Sequence, residues 1–226
     1  LSNVSLFTGD FIGQNVRVKE ESLFGDAYPA LVEKYDGRGL YDEDTGHAFQ
    51  PYVIKQVGDA KIAVVGQAFP RTANANPPEF FPDWSFGLRE DDMRDLVKKI
   101  RTEEEVDGCI LVSHNGMDVD IKMAERVPGL DAVFGGHTHD GMPAPTVVKN
   151  PGGKTLVTNA GSNGKFLGVM DFDVNGGKVR FAGGINLAEK PMMLLLRKPA
   201  QVENINVVEN VRIDDIISAN LLQYLN

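Results

Sequence analysis

Residues 108–139 read GCILVSHNGMDVDIKMAERVPGLDAVFGGHTH. The first six, GCILVS, are apolar almost without a break, the pattern of a strand covered on both faces. Residues 131–134 repeat it after an interval whose apolar spacing predicts a helix over 119–127. Buried strand, helix and buried strand within about thirty residues is the unit from which parallel sheets are built. Just upstream, Met93, Leu96, Val97 and Ile100 recur at i, i+3, i+4 and i+7, predicting a helix that starts near Glu90. Its first turn holds Glu90, Asp91 and Asp92, where the helix dipole favours carboxylates.

On the N-terminal side, residues 51–57 and 61–65 are β-rich runs separated by Gly58-Asp59, a strong hairpin signal. Residues 11–18 (FIGQNVRV) read as another strand, followed by a polar stretch to Gln50 that suits a surface excursion. Residues 69–88 carry four prolines (Pro70, Pro77, Pro78, Pro82) and are not expected to form regular structure. A loop of that length in a compact domain is usually functional or disordered, and Phe80, Phe81, Trp84 and Phe86, available to pin it, favour the first. On the C-terminal side the pattern changes to strands over 146–149, 155–159, 166–174 and 178–181, with turns at 151–153 and 175–177. Strand, helix, strand, helix and strand followed by a meander predicts an α/β domain with mixed sheets. Beyond Ile185 the composition shifts; we divide the chain into a domain over 1–188 and a tail over 189–226, with an amphipathic linker helix possible over 213–225.

The 226 residues are 42% hydrophobic and 24% charged, ordinary values for a globular domain. No stretch approaches the roughly 20 apolar residues of a membrane span, and no membrane partner is expected. A net charge of −9 argues against a nucleic-acid binder, which would need clustered Lys and Arg. It does not exclude a small anionic substrate, because a local metal ion outweighs a distant negative surface. Cys109, the single cysteine, lies inside the apolar run and reads as an inert buried thiol. The first eleven residues lack the basic leader and apolar run of a signal peptide, although a chain that does not begin with Met says little about this.

Three of the four histidines follow predicted buried strands directly: His114 in Ser113-His114-Asn115-Gly116, and His137 and His139 in Gly135-Gly136-His137-Thr138-His139-Asp140. Ligands of open α/β sheets bind just past the carboxyl ends of strands. Imidazole suits Mn, Zn or Fe near neutral pH. An i, i+2 pair on a turn behind two glycines can reach two ions, since the glycines let the backbone approach closely. A lone histidine is more often a surface or satisfied core residue; three at strand ends, one pair as His-x-His, favour metal ligation. His47, in an acidic polar stretch, reads as a solvated loop residue.

The run SHNG at 113–116, RVPGLD at 126–131 and GGHTH at 135–139 resembles the last two metal motifs of the calcineurin-like metallophosphatase superfamily, in its 5'-nucleotidase branch. Within it, GQAFP at 66–70 with Thr72, ANP at 75–77, PDWSFG at 82–87 and SHNGMDVD at 113–120 look like the SoxB thiosulfohydrolases of sulfur oxidation. The likeness spans about residues 11–173.

That resemblance implies a four-layer α/β/β/α sandwich of which residues 1–188 are the distal part. It implies two divalent metal ions, manganese first with zinc or iron as alternatives, held in part by His114 and His137 on one ion and His139 on the other. It also implies hydrolysis that releases sulfate from a cysteine S-thiosulfonate on a sulfur-carrier protein, in the periplasm. The superfamily's Asp-x-His, Gly-Asp and Gly-Asn-His motifs precede this portion, and the sequence contains no Asp-x-His and no Gly-Asn-His. Gly9-Asp10 precedes the wrong strand to be the bridging ligand. The expectation is therefore a fragment, inactive alone, whose general acid/base histidine lies upstream of Leu1. Arg71, with Thr72 and Asn76 nearby, would meet the anionic group, or Arg71 is a plain surface residue. Asn115 and Asp140 would orient the ligands or merely cap loops. The other readings are a 5'-nucleotidase or cyclic-nucleotide phosphodiesterase of the same superfamily, and a truncated non-catalytic domain.

Overall fold

The computed structural model describes residues 9–23, 45–163, 168, 170, 172–174 and 179–181. In chain order the elements are β1 (Arg17–Val18), α1 (Glu20–Leu23), β2 (Tyr52–Val57), β3 (Ala60–Gln67), α2 (Thr72–Ala75), β4 (Trp84–Ser85), α3 (Glu90–Glu103), β5 (Gly108–Ser113), α4 (Met117–Arg126), β6 (Ala132–Gly135), β7 (Thr146–Asn150), β8 (Gly153–Asn159), β9 (Phe172–Val174) and β10 (Val179–Phe181). Six strands make one mixed sheet in the order β2-β3-β5-β6-β8-β7. Its four inner strands run parallel, and the antiparallel edge strands β2 and β7 each return as a hairpin partner. The predicted α/β class with a mixed sheet is therefore what the chain forms.

The sheet is sorted by its alternation. Ala63, Val65, Cys109, Leu111, Val133 and Val157 face α3 and α4, where Met93, Val97, Ile100, Met123 and Ala124 complete the core. Ile62, Val64, Ile110 and Val112 form a second cluster with Ile12, Val53 and Phe134. Met93, Val97 and Ile100 are wholly buried. Each is worth about 1.5–3 kcal/mol of burial, so the apolar stripe holds α3 in place. Cys109 is fully buried, and desolvation pushes its thiol up to about 12, as an inert side chain requires.

The VPGLD segment is a structural clamp at the end of the sheet where β5 and β6 begin. Arg101 of α3 donates from Nε and Nη2 to the Gly129 carbonyl (2.9 and 2.7 Å) and pairs with Asp131. The Asp131 Oδ2 also accepts the Cys109 backbone N–H at 2.7 Å. Gly129 is required there: its φ is +98°, and a methyl on it would stand 3.0 Å from Val97 Cγ1.

Several expectations need correction. Residues 11–18 do not form one strand; only Arg17–Val18 does, beside an isolated bridge from Ile12 to Gln50. The intervening Gln14 and Asn15 are fully buried, and Asn15 donates to the Ala68 and Gly87 carbonyls (both 2.8 Å) while accepting the Ala68 N–H. Side-chain bonds to backbone displace the ladder there. Residues 69–88 contain α2, a 3₁₀ turn at Pro78–Phe80 and β4, so the prolines interrupt regular structure without abolishing it. Phe81, Trp84 and Phe86 pin the loop against Val16, Ala48 and Phe49, whereas Phe80 is 62% exposed. The helix expected from 119 begins at Met117. His47 is buried, not solvated, bridging to Arg17 with Nδ1 2.6 Å from Thr45 Oγ1. Asp10 forms an exposed ion pair with Lys55, as suits a residue outside the site. The excursion over 24–44, the start of the 166–174 strand, the 175–177 turn and the 189–226 tail with its 213–225 helix lie outside the described residues.

Candidate metal centre

β5 and β6 are parallel neighbours, Val112 pairing with Phe134, so their carboxyl ends emerge side by side. His114 leaves the first, His137 and His139 the second. The His114 and His137 rings are 5.1 Å apart between centroids at 70°. Burial lowers the His114 imidazole to about 4, helped by repulsion from His137 and then His139. His114 is thus neutral near pH 7, the form that ligates metal. It is half-buried, while His137 and His139 are exposed, so the cluster is open on one side.

The backbone is bent to make this approach. His137 and His139 both sit at positive φ, 77° and 61°, a conformation costing non-glycine residues about 1–3 kcal/mol and concentrated at functional sites. The glycines around them serve close packing: a methyl on Gly136 would stand 3.0 Å from His114 Nδ1, and one on Gly116 would stand 2.9 Å from Thr138 Cγ2. Thr138 ties the two loops together. Its Oγ1 accepts the Met117 N–H at 3.0 Å and donates to Asp140 Oδ2 at 2.5 Å. Asp140 thus steadies the His-x-His turn through Thr138.

The other expected residues separate. Asn115 is buried beside His114 and bonded into the protein interior. Thr72 Oγ1 donates to the Phe69 carbonyl at 2.6 Å, and Asn76 Nδ2 to the Thr72 carbonyl at 2.8 Å. Both therefore hold the loop's own turn, and Arg71 is exposed at its start. The residue of this loop that reaches the histidines is Phe69, stacked on His137 at 4.0 Å and 26°. Nothing in its residue type signals that contact; only its place just past the end of β3 does. Gln67 was also missed, and so was Asp120. Asp120 had a readable sign, since it shares a helical stripe with buried Met123, Ala124 and Val127.

The donor chemistry fits a borderline transition metal: neutral imidazole nitrogens on glycine-backed turns. The donor number does not suffice, for among the described residues no group of three or more His, Cys, Asp or Glu stands at metal-holding spacing. His114, His137 and His139 would be part of a larger ligand set.

No family model matches the chain. It superposes on the sulfate thiohydrolase SoxB of Thermus thermophilus, solved with glycerol, with a TM-score of 0.65 and 26% identity over 98% of this chain and 33% of that one. It is 34% identical over 128 residues to the trifunctional nucleotide phosphoesterase YfkN of Bacillus subtilis, which is 56% of this chain and 8% of that protein. It is 28% identical over 181 residues to the 5'-nucleotidase of Vibrio vulnificus, covering 67% of this chain and 33% of the relative. The chain is similar in sequence and fold to members of the calcineurin-like metallophosphatase superfamily. Members of that superfamily are dinuclear metal hydrolases. The chain spans about a third or less of the length of each of these three proteins.

Proposed function

We propose that the protein acts as a SoxB-like hydrolase, releasing sulfate from a cysteine S-thiosulfonate on the flexible arm of a sulfur-carrier protein. The observation that supports this reading is the superposition on SoxB, with a TM-score of 0.65 at 26% identity over 98% of the chain. Two divalent ions, manganese first with zinc or iron as alternatives, would supply Lewis acidity and a water of lowered pKa. The chain's own part is to offer His114, His137 and His139 as nitrogen donors and to hold their two loops through Thr138 and Asp140. Residues 69–88 form one wall of the approach, with Phe69 covering a face of His137 and exposed Arg71 available to an anionic group. We assign the protein to the periplasm. Among the described residues no helix is long and apolar enough to cross a membrane.

A 5'-nucleotidase is the second reading, supported by the Vibrio vulnificus relative. The two chemistries share a tetrahedral anionic group, so the metals do not discriminate between them. Full-length protein loaded with Mn should release sulfate from the carrier-bound thiosulfonate and leave AMP intact. Phosphate from AMP with no sulfate establishes the nucleotidase. If neither is released and metal binds weakly, the domain is non-catalytic.

A further inference from the structure

Under the histidine loops lies a chain of buried polar side chains that the proposed reaction does not use. Asp120, on the first turn of α4, is completely buried. Its Oδ1 accepts from Ser113 Oγ at 2.6 Å and from Asn115 Nδ2 at 3.1 Å, the two residues flanking His114. Ser113 Oγ also accepts the Asn115 backbone N–H at 3.1 Å. From Asn115 the chain continues: Gln67 Nε2 donates to Asn115 Oδ1 at 3.2 Å and to the Leu88 carbonyl at 3.0 Å, and Gln14 Nε2 donates to Gln67 Oε1 at 2.5 Å. The Gln67 carbonyl accepts the His114 N–H at 3.0 Å. The side chains on both sides of His114 are thus tied to Asp120, the Asn115 N–H is held by Ser113 Oγ, and the same chain grips the end of the 69–88 loop.

The other carboxylate oxygen, Asp120 Oδ2, is buried without a hydrogen-bond partner, and a methyl on Gly135 would stand 2.5 Å from it. Burial raises the Asp120 carboxyl to about 6, against the pull of Ser113 and Asn115. An apolar residue on that stripe would pack against the sheet at no such cost, so a buried carboxylate there has a use other than stability. Its two bonds both end on the turn that aims His114.

We infer that Asp120 is a positioning residue: through Ser113 and Asn115 it fixes the 113–116 turn and so the direction of the His114 imidazole. The consequence for metal rests on reading His114 as a donor; the consequence for the ring does not. Asp120→Asn keeps an acceptor oxygen for Ser113 and Asn115, whereas Asp120→Ala removes it.

The test uses the full-length protein, metal-free and then titrated with Mn. In ¹H–¹⁵N spectra of the metal-free imidazoles, Asp120→Ala should shift or broaden His114, leave His47 in place as the internal control, and be rescued by Asp120→Asn. Mn affinity should then fall about 10- to 100-fold in Asp120→Ala and less than about threefold in Asp120→Asn. Where Asp120→Ala fails to fold, the pair Ser113→Ala and Asn115→Ala removes the donors in its place and should give the same two effects. A His114 signal unchanged in folded Asp120→Ala, or Asn and Ala variants that behave alike, overturns the inference. A wild-type protein that binds no Mn would defeat the metal reading alone, since the ring spectra stand without it.

Discussion

Gly116 is the position where the structure makes its sharpest demand. Its φ of 100° and ψ of 153° lie in a region open to glycine alone, where any other residue is strained by about 1–3 kcal/mol. A methyl there would also stand 2.9 Å from Thr138 Cγ2, an overpacking that costs about 1–3 kcal/mol where neighbours are fixed. Thr138 is fixed, by its bonds to Met117 and Asp140. Gly116→Ala should therefore destabilise the protein by about 2–6 kcal/mol, seen as a fall in Tm of roughly 4–24 °C. Two further variants separate the contributions. Gly46→Ala adds a methyl at φ +69° with nothing within 4 Å, so it should cost only about 1 kcal/mol of strain. Thr138→Ser removes Cγ2 and keeps the hydroxyl, so Gly116→Ala with Thr138→Ser should recover about 1–3 kcal/mol while the strain persists. Urea unfolding of the four variants gives these numbers. A Gly116→Ala protein within about 1 kcal/mol of wild type, or no recovery from Thr138→Ser, would refute the close packing of the two histidine loops.

Other perturbations follow from the same geometry. Asp131→Ala leaves the Cys109 N–H without its acceptor and Arg101 without its carboxylate, and should cost about 2–4 kcal/mol in urea unfolding. Because that clamp lies at the far end of β5, Mn affinity of the folded variant should stay at the wild-type value. Met93→Ala empties a wholly buried position on α3 and should cost about 2–5 kcal/mol. Asp120 gives a pH signature. Its carboxyl is raised from 3.8 to about 6 in the folded state, so folding favours the protonated acid, and that contribution is present below about pH 4 and lost as pH rises through 6. Asp120→Asn cannot ionise, so its stability relative to wild type should climb by up to about 3 kcal/mol between pH 4 and 7; a flat difference would contradict the buried-carboxylate assignment.

Much of this was readable in the residues, for identifiable reasons. The buried strands β5 and β6 and helix α3 declare themselves because burial on two faces and on a helical stripe imposes apolar runs of fixed period. The β2–β3 hairpin follows from Gly58, whose φ of +58° is the conformation that turn needs. The three histidines were visible because each stands at the end of such a strand. What was not visible depends on contacts between distant segments. Gln14 and Asn15 look like strand residues until Gln67, Ala68 and Gly87 come beside them. Phe69 looks like any loop aromatic until β3 sets it against His137. His47 looks solvated in its acidic neighbourhood, yet the pairing with Arg17 buries it. The RVPGLD run is conspicuous in the sequence, but only the structure shows it working as a clamp on Arg101 at the opposite end of the sheet from the histidines.

The central claim is that His114, His137 and His139 donate nitrogen to metal at one shared centre. Electron spin-echo envelope modulation of the Mn-loaded, full-length protein reads directly bound imidazole nitrogen. We expect ¹⁴N modulation in the wild type, weakened separately by His114→Ala, His137→Ala and His139→Ala and unaffected by His47→Ala. Bound Mn with no ¹⁴N modulation, or modulation that survives all three substitutions unchanged, would contradict it.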